Sequence, residues 1–191
     1  MSVRSSLLAI LTLGPAYGFQ LHVELRSRTG ARRNVNVGQI YATLDRLVTQ
    51  GAVGSAGLTD DGLPLYQLTR AGRIEAFNWL HDTSSAVGEE WSELLDRVLI
   101  ASSLPDVDVL AIISAYRHAW SVPETPPAGT GQEQLVAAAD LALAAAAVSW
   151  LDATESAITA SASFRRELSD ERPRRGRRPT HPADGSGDNQ G

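Results

Sequence analysis

Small and polar side chains line one face of a segment that is predicted to be a helix starting at Asn36. Glutamine can pair bidentately with adenine and arginine with guanine, and threonine can donate to a base edge or contact a thymine methyl group. The pattern favours a helix that reads base pairs in a DNA major groove, but the solvated face of any amphipathic helix has a similar composition. Both interpretations stay open. The residues of this face are Gly38, Gln39, Ala42, Thr43, Arg46 and Gln50.

Four arginines cluster just before this helix: Arg26, Arg28, Arg32 and Arg33. Guanidinium groups bind phosphate oxygens whatever the base sequence, so such contacts position a protein on DNA without specifying the site. We therefore expect these arginines to contact the DNA backbone.

The sequence offers little for catalysis or metal binding. It has no cysteine, which excludes disulfides, thiolate metal sites, iron–sulfur clusters and a cysteine nucleophile. Its four histidines, at positions 22, 81, 118 and 181, include no pair four residues apart. It also lacks a glycine-rich phosphate loop and a G-x-S-x-G element. We predict a protein that is not an enzyme and that uses no cofactor and no metal.

Charge is distributed unevenly along the 191 residues, although the net charge of −5 would by itself argue against a nucleic-acid partner. Residues 1–80 hold eight Arg against five Asp and Glu, a net +3. Residues 81–171 hold four against fifteen, a net −11, and residues 172–191 hold five against two, again +3. A mildly basic N-terminal part is therefore considered separately from a strongly acidic middle.

Apolar periodicity and turn residues predict three helices, a hairpin and a fourth helix in the first 80 residues. Asn36 should cap the third helix, with Gln39 reaching back to it in a capping box. The fourth helix should point Ile74, Phe77 and Leu80 inward. This order is the layout of a winged helix-turn-helix. The helices are expected at residues 2–13, 17–28, 36–50 and 69–80, and the hairpin strands at 52–56 and 63–68.

We predict a mainly α fold with a small β-hairpin wing: an N-terminal winged helix-turn-helix DNA-binding domain at residues 1–81 and a helical dimerisation region at 88–170. That region ends in one long helix, at residues 132–168, whose near-heptad apolar stripe is too long for so small a domain to bury. The simplest partner is the same helix of a second copy, which predicts a homodimer. Residues 171–191 lack periodicity and are expected to be a disordered tail, with a DNA arm at the Arg-rich residues 172–178 as the alternative.

Three tryptophans, Trp91, Trp120 and Trp150, lie in the helical region. Their rings could stack on a flat aromatic molecule, which makes them candidates for an effector site. The same spacing is also explained by a hydrophobic core or a dimer interface, and this explanation is the stronger one.

The apolar run at residues 7–13 resembles a short signal-peptide core. No cleavage site follows it, and Gly14-Pro15 leads directly into another amphipathic segment, so we expect a buried first helix. Residues 135–151 are interrupted by Asp140 and are mostly alanine. We therefore expect no membrane span and a cytoplasmic protein.

Three motifs occur in the order and spacing of a known family. The motifs are Gly14-Pro15-x-Tyr17-Gly18, then Gly38-x-Ile40-Tyr41-x-x-Leu44-x-Arg46-Leu47 with Gly51 after it, and Tyr66-x-Leu68-Thr69-x-x-Gly72-Arg73. In combination, over residues 5–80, they resemble the PadR family of bacterial transcriptional regulators. The helical remainder, with Trp150-Leu151-Asp152 in the long helix, is similar in size and character to the family's C-terminal dimerisation region.

The resemblance implies a homodimeric winged-helix regulator, most often a repressor, that binds double-stranded DNA at an inverted-repeat operator near a promoter. In many members a small aromatic or drug-like effector releases the DNA. Tyr17, Tyr41 and Arg46 match family positions near the DNA, with Tyr41 partly structural. With the residues argued above, the candidate DNA-binding set is Tyr17, Arg32, Arg33, Asn36, Gly38, Gln39, Tyr41, Thr43 and Arg46.

The sequence departs from the family pattern at two places. Gln39 stands where members commonly have a small hydroxyl residue, which could alter the base preference. The wing loop carries Asp60 and Asp61 where members usually have Arg or Lys, and two carboxylates would repel a phosphate backbone. The alternative interpretation is therefore a winged-helix protein-interaction module without significant DNA affinity.

Overall fold

The computed structural model describes residues 3–32, 35–82, 91–121 and 131–169. The predicted mainly α fold with a small wing is confirmed. The predictions for Arg33 and for the tail at residues 171–191 lie outside the described residues. The helices are α1 Val3–Ile10, α2 Gly18–Arg28, α3 Val37–Thr49, α4 Arg70–His81, α5 Trp91–Ser103, α6 Val109–Ala119 and α7 Gln132–Ala160, and the strands are β1 Ala16–Tyr17, β2 Val53–Leu58 and β3 Pro64–Leu68.

The sheet has a third strand that periodicity did not predict. β1 pairs antiparallel with β3, with Ala16 opposite Tyr66 and Tyr17 opposite Leu65, and β3 pairs with β2, so the strand order is β1-β3-β2. Two residues are too few to show the alternation by which a strand is recognised in a sequence. The pairing ties the wing hairpin to the start of α2.

Helix α1 lies at the centre of the N-terminal core. It packs against α2, α3, α4 and α5, and the uninterrupted apolar run at its C-terminal end is expected to be surrounded in this way. The prediction of a buried first helix is confirmed. Its buried apolar residues, with the first residue of the following 3₁₀ turn, are Leu7, Leu8, Ala9, Ile10 and Leu11.

Helix α4 buries a different face from the one predicted. Ile74 and Phe77 are 54% and 61% exposed, whereas Gly72, Ala76 and Leu80, spaced four residues apart, are buried. The prediction of an inward Ile74 and Phe77 was therefore wrong. The buried face contains glycine and alanine because the helix lies close to neighbouring backbone there, and small residues give a weak apolar signal in a sequence.

The helical region consists of α5, α6 and α7, and its last helix is shorter than predicted. Helix α7 ends at Ala160 rather than at residue 168. A 3₁₀ turn, Ala162–Phe164, follows it, and residues 165–169 then run without helical structure over α2 and α5; we call residues 165–169 the strap. The strap forms hydrogen bonds to side chains of α2. Apolar periodicity in the sequence could not predict these long-range bonds.

Helix α7 buries only part of its length. It packs against α6 and buries Ala144, Ala147 and Leu151, while Leu135 and Val136 are exposed. By length and composition alone, α7 is long and apolar enough to cross a membrane, although the sequence predicted no membrane span. Its many alanines raise the mean hydropathy to this level. This is weak evidence for a membrane segment, since the core helix of a soluble protein passes the same test.

Candidate nucleic-acid interface

The start of α3 is fixed by a reciprocal cap. The side-chain oxygen of Asn36 accepts a hydrogen bond from the Gln39 backbone N–H at 2.8 Å, and the side-chain oxygen of Gln39 accepts one from the Asn36 N–H at 3.3 Å. This is the capping box that the sequence predicts. Because the cap uses the side-chain oxygen of Gln39, a bidentate contact between Gln39 and adenine would open it.

The outward face of α3 is exposed and polar, as predicted. Gly38, Gln39 and Arg46 are exposed, while Thr43 is half-buried and donates its hydroxyl proton to the Gln39 carbonyl at 2.7 Å. Within the described residues the Arg46 guanidinium has no ion-pair partner. Arg46 is therefore the side chain of this face that is most available to a base or a phosphate. The opposite face buries Ile40, Leu44 and Leu47.

Gln50, the last residue of the predicted polar face, is already bound within the protein. Arg4 of α1 donates two hydrogen bonds to its side-chain oxygen, at 3.2 and 3.0 Å, and also pairs with Glu75 of α4. This network joins α1 and α4 to the C-terminal end of α3.

A close contact positions α3 on α2. A Cβ atom on Gly18 would lie 2.5 Å from Cε1 of the half-buried Tyr41 ring, so only glycine leaves room for that ring. Tyr17, predicted to contact DNA, is only 7% exposed and its backbone pairs with Leu65 of β3. Tyr17 is thus mostly buried beside the wing hairpin, whereas Tyr41 packs α3 against the start of α2.

The arginine cluster before α3 does not face outward as a unit. Arg28 is buried and its guanidinium bonds to Glu24 at 2.7 Å, to the Ser103 carbonyl and hydroxyl at 2.9 Å, and to two strap carbonyls. Burial lowers the pKa of Arg28, and the bond to Glu24 opposes that shift. The prediction of a phosphate contact from Arg28 was wrong, because this side of α2 faces α5 and the strap.

Arg32 joins the turn after α2 to α5. Its Nη1 lies 2.6 Å from Oδ1 of the buried Asp96, and its Nη2 donates to Ser92 at 3.3 Å. About a third of the Arg32 side chain stays exposed. A phosphate would have to compete with Asp96 for the Arg32 guanidinium. Arg26, in contrast, is exposed on the outer side of α2.

The wing is an exposed loop with an acidic tip. The Thr59 N–H donates to the Leu63 carbonyl at 2.8 Å, and the Thr59 hydroxyl accepts from the Leu63 N–H at 2.9 Å. Gly62 has a positive φ of 81°. Asp60 and Asp61 are exposed at this tip, so the wing presents negative charge where a phosphate contact would need positive charge.

The end of the wing is packed closely against the start of α4. Thr69 accepts a hydrogen bond from the Gly72 N–H at 3.2 Å and donates to the Gly51 and Ala52 carbonyls. A Cβ atom on Gly72 would lie 2.0 Å from the Ala52 carbonyl oxygen. This contact explains why a Leu-Thr-x-x-Gly sequence ends the wing.

The three tryptophans of the helical region come together. The Trp91 ring lies 6.4 Å from Trp120 and 5.6 Å, edge to face, from Trp150. Trp120 is fully buried, and its indole N–H has no hydrogen-bond partner among the described residues. Trp91 and Trp150 are half-buried. The cluster packs as a core, while its two outer rings remain partly accessible.

A buried polar cluster between α4, α5 and α6 was not predicted. The Arg97 guanidinium lies 5.3 Å from the centre of the Trp79 ring and donates to the Tyr116 hydroxyl, while Trp79 donates to Glu93. Burial raises the pKa of Tyr116 to about 12, against the opposing effect of Arg97. This cluster joins α4 to α5 and α6. The sequence signal for this cluster was the Glu93–Arg97 pair, four residues apart on the same helix.

Part of this chain matches the model of a known protein family, and the chain is similar to solved structures. Residues 7–77, the segment that carries the three motifs, match the transcriptional regulator PadR-like family. Bacillus subtilis PadR in complex with operator DNA is 18% identical, with a TM-score of 0.40, and the match covers 79% of this chain and 96% of that chain. Bacillus subtilis PadR in complex with p-coumaric acid is also 18% identical, with a TM-score of 0.36 and coverage of 82% and 98%. No curated protein matches the chain.

Proposed function

We propose that this chain, whose residues 7–77 match the transcriptional regulator PadR-like family, belongs to that family and regulates transcription by binding double-stranded DNA with α3. The observation that carries the proposal is the exposed polar face of α3, which is capped at Asn36 and held on α2 by the contact between Tyr41 and Gly18. A helix of this kind fits the major groove. Regulation of transcription, rather than catalysis, and a cytoplasmic location are part of the proposal.

The proposed active form is a homodimer that acts as a repressor at an inverted-repeat operator. Helix α7 supports this, because its N-terminal half leaves Leu135 and Val136 exposed, and a second copy of α7 would cover them. Two copies of α3 related by a twofold axis would then reach successive major grooves on one side of the DNA.

A small aromatic effector completes the proposal. Bacillus subtilis PadR has been solved with p-coumaric acid. In this chain the half-buried rings of Trp91 and Trp150 offer stacking surface next to the buried Trp120, whose indole N–H has no hydrogen-bond partner among the described residues. Since these rings lie between α5 and α7, a bound molecule would act on the region proposed to form the dimer.

Replacing Arg46 by alanine tests the proposed role of α3. If Arg46 reads a guanine, the loss should be about 1–3 kcal/mol, or roughly 5- to 150-fold in affinity for the specific site. The measurement is a gel shift of the full chain on the DNA upstream of its own gene, with unrelated competitor DNA.

Arg117→Ala is the matched control, because it removes the same charge from α6, where Arg117 pairs with Asp152 and Glu155. The proposal expects this control to bind as the wild type does. Equal binding by the Arg46→Ala variant and the wild type would show that α3 does not carry recognition, and would favour an interaction module.

A further inference from the structure

Helix α2 holds α3 and the residues before it at two points along one face. The first is the packing of the Tyr41 ring against Gly18. The second lies one turn further along α2, where Nε2 of His22 is 2.8 Å from the carbonyl oxygen of Val35. Gly18 and His22 are four residues apart, so they lie on the same face of α2. Two separate contacts fix the direction of a helix, whereas a single contact would leave it free to pivot.

The bond from His22 acts at the start of α3. Val35 directly precedes Asn36, which caps α3 together with Gln39. In helix-turn-helix proteins the N-terminal residues of the recognition helix contact the base edges, and Gly38 and Gln39 are exposed at this end of α3. A movement of Val35 would therefore displace the part of α3 that is proposed to read bases.

The surroundings of His22 select one tautomer of its ring. A carbonyl oxygen only accepts hydrogen bonds, so the bond to Val35 requires a proton on Nε2. The Nδ1 atom is buried and has no hydrogen-bond partner among the described residues. A proton on Nδ1 would leave a buried N–H without an acceptor and would place the Nε2 lone pair against the carbonyl oxygen. Both are unfavourable, so the ring is set to donate to Val35.

The other polar contacts of the α2–α3 connection do not hold Val35. Arg32, three residues earlier, is bound to Asp96 of α5. The bonds between Asn36 and Gln39 stay within the start of α3. In the described part of this connection, the bond from His22 is thus the side-chain bond that ties Val35 to α2.

We propose that His22 is a positioning residue for sequence-specific DNA binding, whose Nε2–H holds Val35, and with it the capped end of α3, in the orientation that reads bases. The proposal rests on the DNA binding proposed above, and it gives His22 no contact with DNA. Loss of the bond should weaken binding to the specific site more than binding to unrelated DNA. The reason is that Arg26 and Arg46, the exposed arginines of α2 and α3, stay available to phosphates.

The test compares three variants of the full chain with the wild type. His22→Leu removes the donor and keeps a side chain of similar volume. His22→Gln is the conservative variant, because its amide nitrogen can take the place of Nε2. His118→Leu is the matched control, since His118 is exposed on α6. Fluorescence anisotropy measures the affinity of each chain for two duplexes of equal length, the DNA upstream of its own gene and an unrelated sequence, and circular dichroism checks that each chain is folded.

The His22→Leu variant should bind the upstream duplex about 2- to 10-fold more weakly, the range expected for the loss of one hydrogen bond. Its affinity for the unrelated duplex should stay within about twofold of the wild type, because phosphate contacts are kept. His22→Gln should recover most of the loss, and His118→Leu should bind both duplexes as the wild type does. A role in stability alone would lower the unfolding temperature and leave the ratio of the two affinities unchanged.

An NMR measurement on the wild type tests the same bond without any substitution. Long-range proton–nitrogen correlation spectra distinguish the two histidine tautomers. At about pH 8, above the ordinary pKa of histidine, the His22 ring should carry its proton on Nε2.

A proton on Nδ1, or an equal ratio of affinities in the His22→Leu variant and the wild type, would overturn the positioning role while leaving DNA binding by α3 intact. Equal losses in His22→Gln and His22→Leu would also overturn it, because the hydrogen-bond donor would then not matter. If the wild type bound both duplexes equally, or neither, the proposed function would fail and the role of His22 with it.

Discussion

Replacing Gly72 by alanine should lower the free energy of unfolding by at least about 3 kcal/mol, the upper end of the usual cost of overpacking. The new methyl group would lie 2.0 Å from the Ala52 carbonyl oxygen and 2.9 Å from its carbon. Both atoms belong to the backbone, so no side-chain rotation can relieve the overlap. Helix α4 would have to move off the start of β2, which breaks the hydrogen bonds of Thr69 to Gly51 and Ala52. Urea unfolding followed by far-ultraviolet circular dichroism measures the loss.

Gly54→Ala in the neighbouring strand is the control for this prediction. A Cβ atom there would meet nothing closer than the Thr69 methyl group at 3.8 Å, an ordinary contact. We expect this variant to stay within about 1 kcal/mol of the wild type. Equal stability of the Gly72→Ala and Gly54→Ala variants would show that α4 does not lie as close to Ala52 as the structure places it.

Replacing Arg28 by methionine should cost about 3–5 kcal/mol, because the change leaves a buried carboxylate without its cation. Glu24 and Arg28 are both buried, 2.7 Å apart. The variant also leaves two strap carbonyls without the guanidinium donor, while the Ser103 carbonyl keeps only its bond from the Arg166 N–H. The strap should detach from α2, so faster proteolysis after residue 164 should accompany the loss of stability in urea.

Arg26→Met, two residues earlier on the exposed side of α2, is the control and should change stability by no more than about 0.5 kcal/mol. Pairing Arg28→Met with Glu24→Leu should recover part of the loss, because an apolar pair can replace a buried ion pair. A loss from Arg28→Met no larger than that from Arg26→Met would contradict the buried role of Arg28.

The parts of the fold that depend on neighbouring residues were predicted from the sequence. The capping box of Asn36 and Gln39 is one example, because both partners lie within four residues. The hairpin is another, since its turn is defined by glycine and aspartate between two short strands. Local chemistry determines such elements almost completely, so the polar face of α3 could be identified from its residue types and spacing alone.

The parts that depend on distant contacts were not predictable. Arg28 was expected to contact phosphate, but Ser103 and the strap, far along the chain, supply its partners. The end of α7 was misplaced for the same reason, because the strap bonds to α2 instead of continuing the helix. In both cases the bonding partner lies far along the chain, so it could not be inferred from periodicity.

The three tryptophans illustrate an intermediate case. The sequence suggested either an effector site or a core, and the structure joins Trp91, Trp120 and Trp150 in one cluster. Their convergence required the packing of three helices, which no local pattern encodes. The effector site remains a prediction, and the packing explains the burial of Trp120 without it.

Hydroxyl-radical footprinting of the full chain on the DNA upstream of its own gene tests the central claim most directly. A dimer that reads DNA with two copies of α3 should protect two symmetric half-sites whose centres lie about one helical turn, roughly 10 bp, apart. The protection should disappear as salt is raised, since phosphate contacts carry much of the affinity. No protection at low salt, or a single protected stretch without twofold symmetry, would contradict a dimeric regulator that reads DNA through α3.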